Sequence, residues 1–408
     1  MAGLRDGARA RRAQRPTAGD GQEVNEMDLH RLGWNRSWAQ KLKDLQDEGL
    51  SPARVARADR GLYQLLSASG AVRARLSGRL RHHASSAGEF PTTGDWVAVR
   101  SLGQAEGAGS QVMIHALLPR QSAFRRQAVI AGGRTQEQTV AANVDVAFLV
   151  SGLDIEFNVR RIERYVSIAW DSGAFPVLLL NKSDLADNPT DRLRETARAV
   201  APAPVHAISA LREAGLEQVR AYLEAGKTYG FLGSSGVGKS SIINALLGEE
   251  RQAVSGISHA SGKGRHTTTR RELILLPGGA IVLDTPGMKV IGAWSDEEGV
   301  GRTFSEIEEL ASRCRFRDCR HASEPGCAVR AAIEAGELDP ARLRSFRRLS
   351  QEAASIEQRK KELARLRRLA HRDRIVKGSA SAGSQRRGRR QRRRGGRSAG
   401  RHGLDADV

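Results

Sequence analysis

The amino-acid sequence predicts a multidomain α/β protein, with a small N-terminal β-barrel, a central parallel sheet and a helical C-terminal region. Three observations support this prediction. Short apolar strands separated by turns extend from about residue 50 to residue 136. From Val144 onward, apolar strands alternate with segments of helical spacing. After about residue 301 the pattern is helical, and all three cysteines lie there. The change of pattern along the chain indicates separate domains rather than a single domain.

The barrel is predicted over residues 46–136. Its strands are expected at residues 62–66, 72–76, 95–100 and 112–118. Regularly spaced short strands indicate a small barrel, and five strands would fit an oligonucleotide-binding (OB) fold. Arg73 and Arg75 alternate with apolar residues, so that one face of their strand suits a phosphate backbone. A small β-domain with a purely structural role is the alternative.

Residues 137–300 are predicted to form the parallel sheet, covered by helices on both faces. The apolar strands are expected at residues 144–150, 175–180, 205–209, 228–232, 273–276 and 280–283. The helices are expected at residues 159–170, 193–200, 216–223 and 240–247. In sheets of this kind, ligands bind at the carboxyl ends of the strands. The residues that come after each strand are therefore the candidates for a site.

A phosphate-binding loop comes after the strand at 228–232. The sequence matches G-x-x-x-x-G-K-[ST], in which glycines allow successive N–H groups to face one anion. Lys239 can reach the β- and γ-phosphates of a nucleotide, and the Ser240 hydroxyl can hold Mg²⁺. The candidate contacts in this loop are Gly233, Ser234, Ser235, Gly236, Val237, Gly238, Lys239, Ser240 and Ser241.

The N-K-S-D sequence at 181–184 indicates that the base is guanine. The Asp184 carboxylate can accept hydrogen bonds from guanine N1–H and the 2-amino group, and adenine has a donor at neither place. Lys182 can lie along the base, and Asn181 can tie this turn to the phosphate loop. Ser209 and Ala210 end the next strand, where a backbone N–H can meet guanine O6.

The D-T-P-G sequence after the strand at 280–283 is expected to sense the γ-phosphate. Asp284 can orient Mg²⁺ through water, and the Gly287 N–H can contact the γ-phosphate. A threonine from the run before the strand at 273–276 should complete the magnesium shell. Thr268 and Thr269 are the two candidates, and the sequence leaves the choice between them open.

Three cysteines and one histidine are clustered in the helical region predicted over residues 301–376. The ligand set is Cys314, Cys319, His321 and Cys327. Three thiolates and one imidazole suit a tetrahedral structural Zn²⁺ ion, and this closed set leaves no position for a catalytic water. An odd number of cysteines within fourteen residues does not indicate a disulfide framework. Three free cysteines are the alternative.

The order of the motifs is unusual, because N-K-S-D precedes the phosphate loop. Three further features accompany this order: G-R-H-T-T-T at 264–269, D-T-P-G at 284–287 and the cysteine segment. In these four features the chain resembles the circularly permuted ribosome-assembly GTPases of the RsgA (YjeQ) family. The resemblance covers about residues 50–370. It implies an OB domain, a permuted GTPase domain that binds GTP or GDP with Mg²⁺, and a domain with one Zn²⁺. It also implies that the chain binds the small ribosomal subunit late in maturation and that the subunit stimulates hydrolysis.

His266 is the candidate catalytic residue. Hydrolysis needs a group that orients the attacking water, and many GTPases use a glutamine directly after D-x-x-G. Here that position is Met288, so we expect the isolated protein to be slow. In the family that the chain resembles, the histidine equivalent to His266 is the candidate. The alternative is that His266 only packs within a mobile loop.

Charge and composition support a polyanionic partner. The net charge is +20, and ten basic residues lie between Lys377 and Arg401. Nucleic acid is the first interpretation and an anionic membrane the second, with a solvated basic surface as the alternative. No apolar run approaches the ~18 residues of a membrane span. With the resemblance, we expect a cytoplasmic monomer that binds rRNA and has no membrane partner.

The two ends of the chain lie outside the resemblance. Residues 1–45 are expected to be a mobile extension, and residues 377–408 a disordered Arg/Gly-rich tail. Trp34 and Trp38 are four residues apart, which fits either a platform for stacking bases or a small docking helix. Two other functions also remain open. One is a GTP-dependent RNA-binding clamp with little turnover, and the other is a GTPase acting on another RNA, such as tRNA.

Guanine specificity can be tested at Asp184. Asp184→Asn should weaken GTP binding and favour xanthine nucleotides, because the 2-position of xanthine is an acceptor rather than a donor. Fluorescence titration with GTP and XTP measures both affinities. Unchanged GTP affinity in this variant would remove Asp184 from the base site.

Overall fold

The structure is a computed structural model that describes most of the chain. The described residues are 28–45, 49–59, 61–83, 87–101, 111–129, 135–155, 157–248, 272–284, 297–358, 361–362 and 365. Within them, no helix combines the length and apolar character needed to cross a membrane.

Residues 28–45 form two short helices, although we expected residues 1–45 to be a mobile extension. A 3-10 turn at Leu29–Leu32 is capped by Asp28 and is followed by α1, Arg36–Lys43. Trp38 is buried and packs with Leu32 on the barrel residue Trp96. An apolar surface on the barrel therefore orders this segment, which favours the docking alternative for the tryptophan pair over base stacking.

The predicted barrel is present as five strands in a closed arrangement. They are β1 (Ser51–Asp59), β2 (Leu62–Ser67), β3 (Gly70–Leu76), β4 (Trp96–Ser101) and β5 (Gln111–Leu117), in the order β1-β2-β3-β5-β4. Helix α2, Gly78–His83, and a 3-10 turn at Ala87–Glu89 join β3 to β4. Alternation along β3 buries Val72, Ala74 and Leu76 and exposes Arg73 and Arg75. The basic residues on β3 therefore face solvent.

A separate hairpin comes after the barrel. Its strands are β6 (Ala123–Val129) and β7 (Thr135–Ala142), paired antiparallel. Phe124 and Val140 pack in the core of the next domain rather than in the barrel. The last barrel strand thus ends at Leu117, and the boundary expected at residue 136 falls inside β7. Neither strand of this hairpin was predicted from the sequence.

The central sheet has six strands, five of them parallel. The strands are β8 (Val146–Gly152), β9 (Phe175–Asn181), β10 (Val205–Ala207), β11 (Thr228–Leu232), β12 (Glu272–Leu275) and β13 (Ile281–Asp284). Their order is β10-β9-β8-β11-β13-β12. Strand β12 differs from the predicted parallel arrangement, because it pairs antiparallel with β13 at the edge.

Helices cover both faces of this sheet. They are α3 (Val159–Ser172), α4 (Pro189–Val200), α5 (Leu216–Arg220) and α6 (Lys239–Leu247). Successive residues of β8 point to opposite faces, so that Leu149 joins one apolar core and Phe148 and Val150 join the other. Burial on both faces explains why this strand is a continuous apolar run in the sequence.

The C-terminal region is helical, as predicted. Its helices are α7 (Glu297–Thr303), α8 (Ser305–Ala311), α9 (Ala328–Glu334) and α10 (340–358). Phe304, Ile307, Val329 and Leu343 form the centre of its apolar core. The fold class expected from the sequence is therefore confirmed in all three of its parts.

Arg54 of β1 joins the N-terminal segment, the barrel and the central sheet. Its guanidinium is fully buried and donates to the carbonyl oxygen of Leu32, to Gly94 O at 3.3 Å and to Thr228 Oγ1 at 2.7 Å. Asn143 O accepts a further hydrogen bond at 3.4 Å. Burial lowers the pKa of Arg54 to about 10, so that the group remains charged at neutral pH. A cation in this position is stable only while its acceptors surround it.

Replacing Arg54 tests this connection. Arg54→Met keeps a side chain of similar length but removes every donor, so that Thr228 Oγ1 and three carbonyl groups lose a buried partner. We expect the free energy of unfolding to fall by about 3 kcal/mol. Urea unfolding followed by tryptophan fluorescence measures it. Arg57→Met, in the same strand, is the control, and an equal loss in both variants would contradict the connecting role of Arg54.

Candidate nucleotide and metal sites

The phosphate loop lies between β11 and α6. Two of its positions require glycine, because neighbouring atoms leave no room for a Cβ atom. Gly233 and Gly238 have φ values of 148° and 98°, in the region that favours glycine. A Cβ on Gly233 would lie 2.2 Å from Val150 O, and one on Gly238 would lie 2.1 Å from Asn181 Nδ2. The loop is therefore closely packed against the ends of β8 and β9.

Lys239 begins α6 with its side chain folded over the loop. Its Nζ donates to Gly233 O at 2.8 Å and to Ser234 O at 2.6 Å. These carbonyl groups hold the ammonium beside the loop, at the place where the motif requires it to meet the phosphates. The helix N-terminus adds its partial positive charge at the same place.

Asn181 connects the N-K-S-D turn to the phosphate loop. Its Nδ2 donates to Val237 O at 2.8 Å, and its Oδ1 accepts from the N–H of Ala210 at 2.9 Å. The side chain is buried, so both hydrogen bonds are shielded from water. In this structure the Ala210 N–H thus donates to Asn181, and its expected contact with guanine O6 stays a prediction.

Asp184 and Lys182 are each held by a neighbour from another strand end. The Ser209 hydroxyl donates to Asp184 Oδ1 at 2.5 Å, which leaves the second carboxylate oxygen for a ligand. Lys182 Nζ lies 2.6 Å from Asp154 Oδ2, just beyond the end of β8. From the sequence, Ser209 was expected to mark a backbone contact with guanine O6, and Asp154 was not predicted, although its position after a buried strand was a signal.

Helix α3 contacts the phosphate loop through two residues that the sequence analysis also missed. Arg161 Nη1 lies 3.1 Å from Ser234 Oγ, and the Tyr165 hydroxyl lies 3.4 Å from the same atom. A helix was predicted here, but no role was predicted for Tyr165, and no sequence motif includes Arg161. These contacts depend on how the helix packs against the loop.

The γ-phosphate side of the site is described only in part. The backbone of Asp284 ends β13, and this strand pairs with β11 directly before the phosphate loop. His266, Thr268, Thr269 and Gly287 lie outside the described residues. The roles expected for them, for the Asp284 side chain and for Ser240 and Ser241 stay predictions.

The four predicted zinc ligands lie together. Their ligand atoms are all within 4.8 Å of one another. His321 Nδ1 is 3.6 Å from Cys314 Sγ and 3.5 Å from Cys327 Sγ, and the two sulfur atoms are 3.9 Å apart. Tetrahedral zinc bonds to sulfur and nitrogen correspond to separations of about 3.8 Å and 3.5 Å. The side chains thus fit a zinc ion.

Hydrogen bonds outside the ligand set shape the metal loop. Arg347 donates to the backbone carbonyl of His321, whose φ of 59° is in the left-handed region. Glu324 accepts from the N–H groups of Arg320, Ala322 and Ser323 at 2.8–3.0 Å. Bonds from backbone N–H groups, its own first, lower the pKa of Glu324 to about 2. These contacts hold the loop between the ligands in one conformation.

Comparison with known proteins gives the same assignment as the geometry. The family model described as RsgA GTPase matches residues 117–294. A model described as ABC transporter also matches, over residues 216–387. That second range contains the phosphate loop common to P-loop nucleotide-binding proteins, but it leaves out Asn181, Asp184 and Ser209.

Relatives similar to this chain carry one description. A protein of Opitutus terrae named small ribosomal subunit biogenesis GTPase RsgA is 48% identical over 333 residues, which are 80% of this chain and 90% of that protein. One of the same name from Streptomyces coelicolor is 42% identical over 335 residues, 81% of this chain and 88% of the relative.

Solved structures agree in fold. Thermotoga maritima YjeQ has 25% identity and a TM-score of 0.55, and the match covers 75% of this chain and 99% of that protein. A structure described as YloQ, a circularly permuted GTPase, has 24% identity, a TM-score of 0.54 and coverage of 76% and 96%. Because the motif order, the fold and the identity to full-length relatives agree, this chain belongs to the RsgA family of circularly permuted GTPases.

Proposed function

We propose that this chain hydrolyses GTP to GDP and phosphate in association with the small ribosomal subunit, during the late maturation of that subunit. The observation that carries the proposal is the convergence of three strand ends on one site. Asn181 from the base turn touches both Val237 of the phosphate loop and Ala210 of the third strand end. The relatives named above are described as biogenesis factors of that subunit.

In this proposal, each part of the site has a separate role. Asp184, oriented by Ser209, accepts hydrogen bonds from guanine, and Lys182 covers the base. The N–H groups of residues 234–241 surround the phosphates, with the Lys239 ammonium beside them. Ser240, one of Thr268 and Thr269, and Asp284 through water would hold Mg²⁺, which neutralises phosphate charge when bound. The Gly287 N–H contacts the γ-phosphate.

His266 is proposed to orient the attacking water. The position after D-T-P-G is Met288, whose thioether is a poor hydrogen-bonding group. We infer that the loop containing His266 takes its active position on the small subunit. The isolated protein therefore has a low intrinsic rate, and the subunit raises it strongly by ordering this loop. Each tenfold increase in rate corresponds to about 1.4 kcal/mol, which contacts with the subunit would supply.

Exposed basic residues support contact with rRNA. Arg73 and Arg75 project from the barrel. Beside the metal loop a second exposed group comprises Arg313, Arg315, Arg317 and Arg320. Both groups are suited to phosphate contacts, which dominate affinity for nucleic acids. We propose that the protein works as a cytoplasmic monomer on this partner.

The partner can be identified by titration. GTP turnover measured in parallel with small subunits, large subunits and tRNA should rise by orders of magnitude only with the small subunit. Stimulation by tRNA instead would identify another RNA as the partner. Binding to the small subunit without turnover would favour a GTP-dependent clamp.

His266→Ala tests the origin of the stimulation. This variant should bind GTP and the small subunit nearly normally and lose most of the stimulated rate, because the water is no longer oriented. Its intrinsic rate should hardly change. Single-turnover hydrolysis with and without subunits measures both, with His402→Ala in the tail as the control. Full stimulated turnover in His266→Ala would show that another group, including one from the ribosome, orients the water.

The proposed zinc site predicts one metal ion per chain. Cys319→Ala should lose the ion and the folded structure near residues 314–330, because structural zinc contributes folding energy directly. Metal analysis by mass spectrometry and hydrogen exchange of that segment measure both effects. Ser323→Ala, an exposed neighbour, should retain zinc. Purified wild-type protein that is folded there without metal would contradict the assignment.

A further inference from the structure

Two cations approach the same residue of the phosphate loop. Arg161 Nη1 lies 3.1 Å from the hydroxyl oxygen of Ser234, and Lys239 Nζ lies 2.6 Å from its carbonyl oxygen. Lys239 is the residue that meets the β- and γ-phosphates in loops of this type. Arg161 and this lysine therefore contact the same residue, Ser234, from two directions.

Helix α3 places this arginine in a fixed position. Asn158 caps the helix, and its side chain accepts from the Arg161 N–H at 3.1 Å. Two residues further on, buried Glu163 pairs with Arg342 of α10 at 3.0 Å. The helix is thus fixed by a cap at its N-terminus and by an ion pair with α10. The Arg161 side chain is half-buried and reaches from this helix to the phosphate loop.

The contact with Ser234 is weaker than one with a phosphate. A hydroxyl is a neutral acceptor, and charge-assisted hydrogen bonds are about twice as strong as neutral ones. A phosphate oxygen in the loop is therefore a stronger acceptor for a guanidinium than the Ser234 hydroxyl is. In phosphoryl transfer an arginine that reaches the γ-phosphate stabilises the charge that develops in the transition state, and it can come from the same chain.

We propose that Arg161 is a catalytic residue that contacts the γ-phosphate in the transition state. The oxygen of water attacks the γ-phosphorus, and the bond from that phosphorus to the β–γ bridging oxygen breaks. The electron pair stays on the bridging oxygen of GDP, and a proton of the water ends on the released phosphate. The Arg161 guanidinium remains protonated throughout and donates hydrogen bonds to the phosphoryl oxygens. The proposal rests on the GTPase function given above.

Aluminium fluoride tests this role without turnover. Wild-type protein should bind GDP with aluminium fluoride more tightly than GDP alone, because the fluoride complex mimics the transferring phosphoryl group. Arg161→Ala should lose most of that gain while its affinity for GDP stays within about twofold. Fluorescence of a labelled GDP measures both affinities. A variant that loses GDP affinity to the same extent would show that Arg161 only supports the loop.

Turnover gives the second readout. Arg161→Ala should lower the hydrolysis rate about 100-fold or more, toward the range typical of such arginines. Arg161→Lys should recover a part of that loss, since lysine keeps the charge without the planar fork. Arg160→Ala is the matched control, because that neighbouring side chain contacts Ser345 of α10 at 2.5 Å. It should leave the intrinsic rate unchanged.

Two results separate failure of this inference from failure of the proposed function. If wild-type protein neither binds nor hydrolyses GTP, the proposed function is wrong. If the wild type hydrolyses GTP and Arg161→Ala matches it within about threefold, the proposed function stands and the role of Arg161 is wrong. Thermal unfolding of each variant shows whether a lost rate reflects lost structure.

Discussion

The buried guanidinium of Arg54 is the interaction on which the arrangement of the N-terminal half depends. It takes acceptors from the segment before the barrel, from a barrel turn, from the linker and from the first residue of β11. A desolvated cation is costly unless those acceptors are all present. Since β11 leads directly into the phosphate loop, the same contact fixes where the loop begins relative to the barrel.

The permuted order of the chain does not disturb the site, because the sheet rather than the chain order brings the motifs together. Strands β9, β8 and β11 are neighbours, and their carboxyl ends lie at one edge. Asn181 then crosses from one strand end to the loop after another. The permutation alters the connection that leaves the site. The strand ending at Asp284 is followed in the chain by the helical region with the Cys₃His cluster, instead of by the strand that leads into the N-K-S-D turn.

The parts that could be predicted from sequence are those whose chemistry is local. The phosphate loop, the N-K-S-D turn and the Cys₃His cluster each need particular residues at a short spacing, so the sequence alone identified them. Strand β1, Arg161 and Asp154 could not be found in this way. Polar and basic residues interrupt the apolar pattern of β1, and the roles of Arg161 and Asp154 arise from neighbours distant in sequence. For residues 28–45 a small docking helix was only one of two alternatives, because a surface on the barrel, distant in sequence, orders the segment.

Glu163 and Arg342 form a buried pair between α3 and α10, and Arg342 also donates to Thr303 O and to Glu306. Separating the two helices would break a buried, hydrogen-bonded ion pair, and breaking such a pair is strongly destabilising. The pair therefore fixes the position of α10 on α3. Because α3 also contacts the phosphate loop through Arg161 and Tyr165, one helix joins the C-terminal helices to that loop by direct contacts on its two sides.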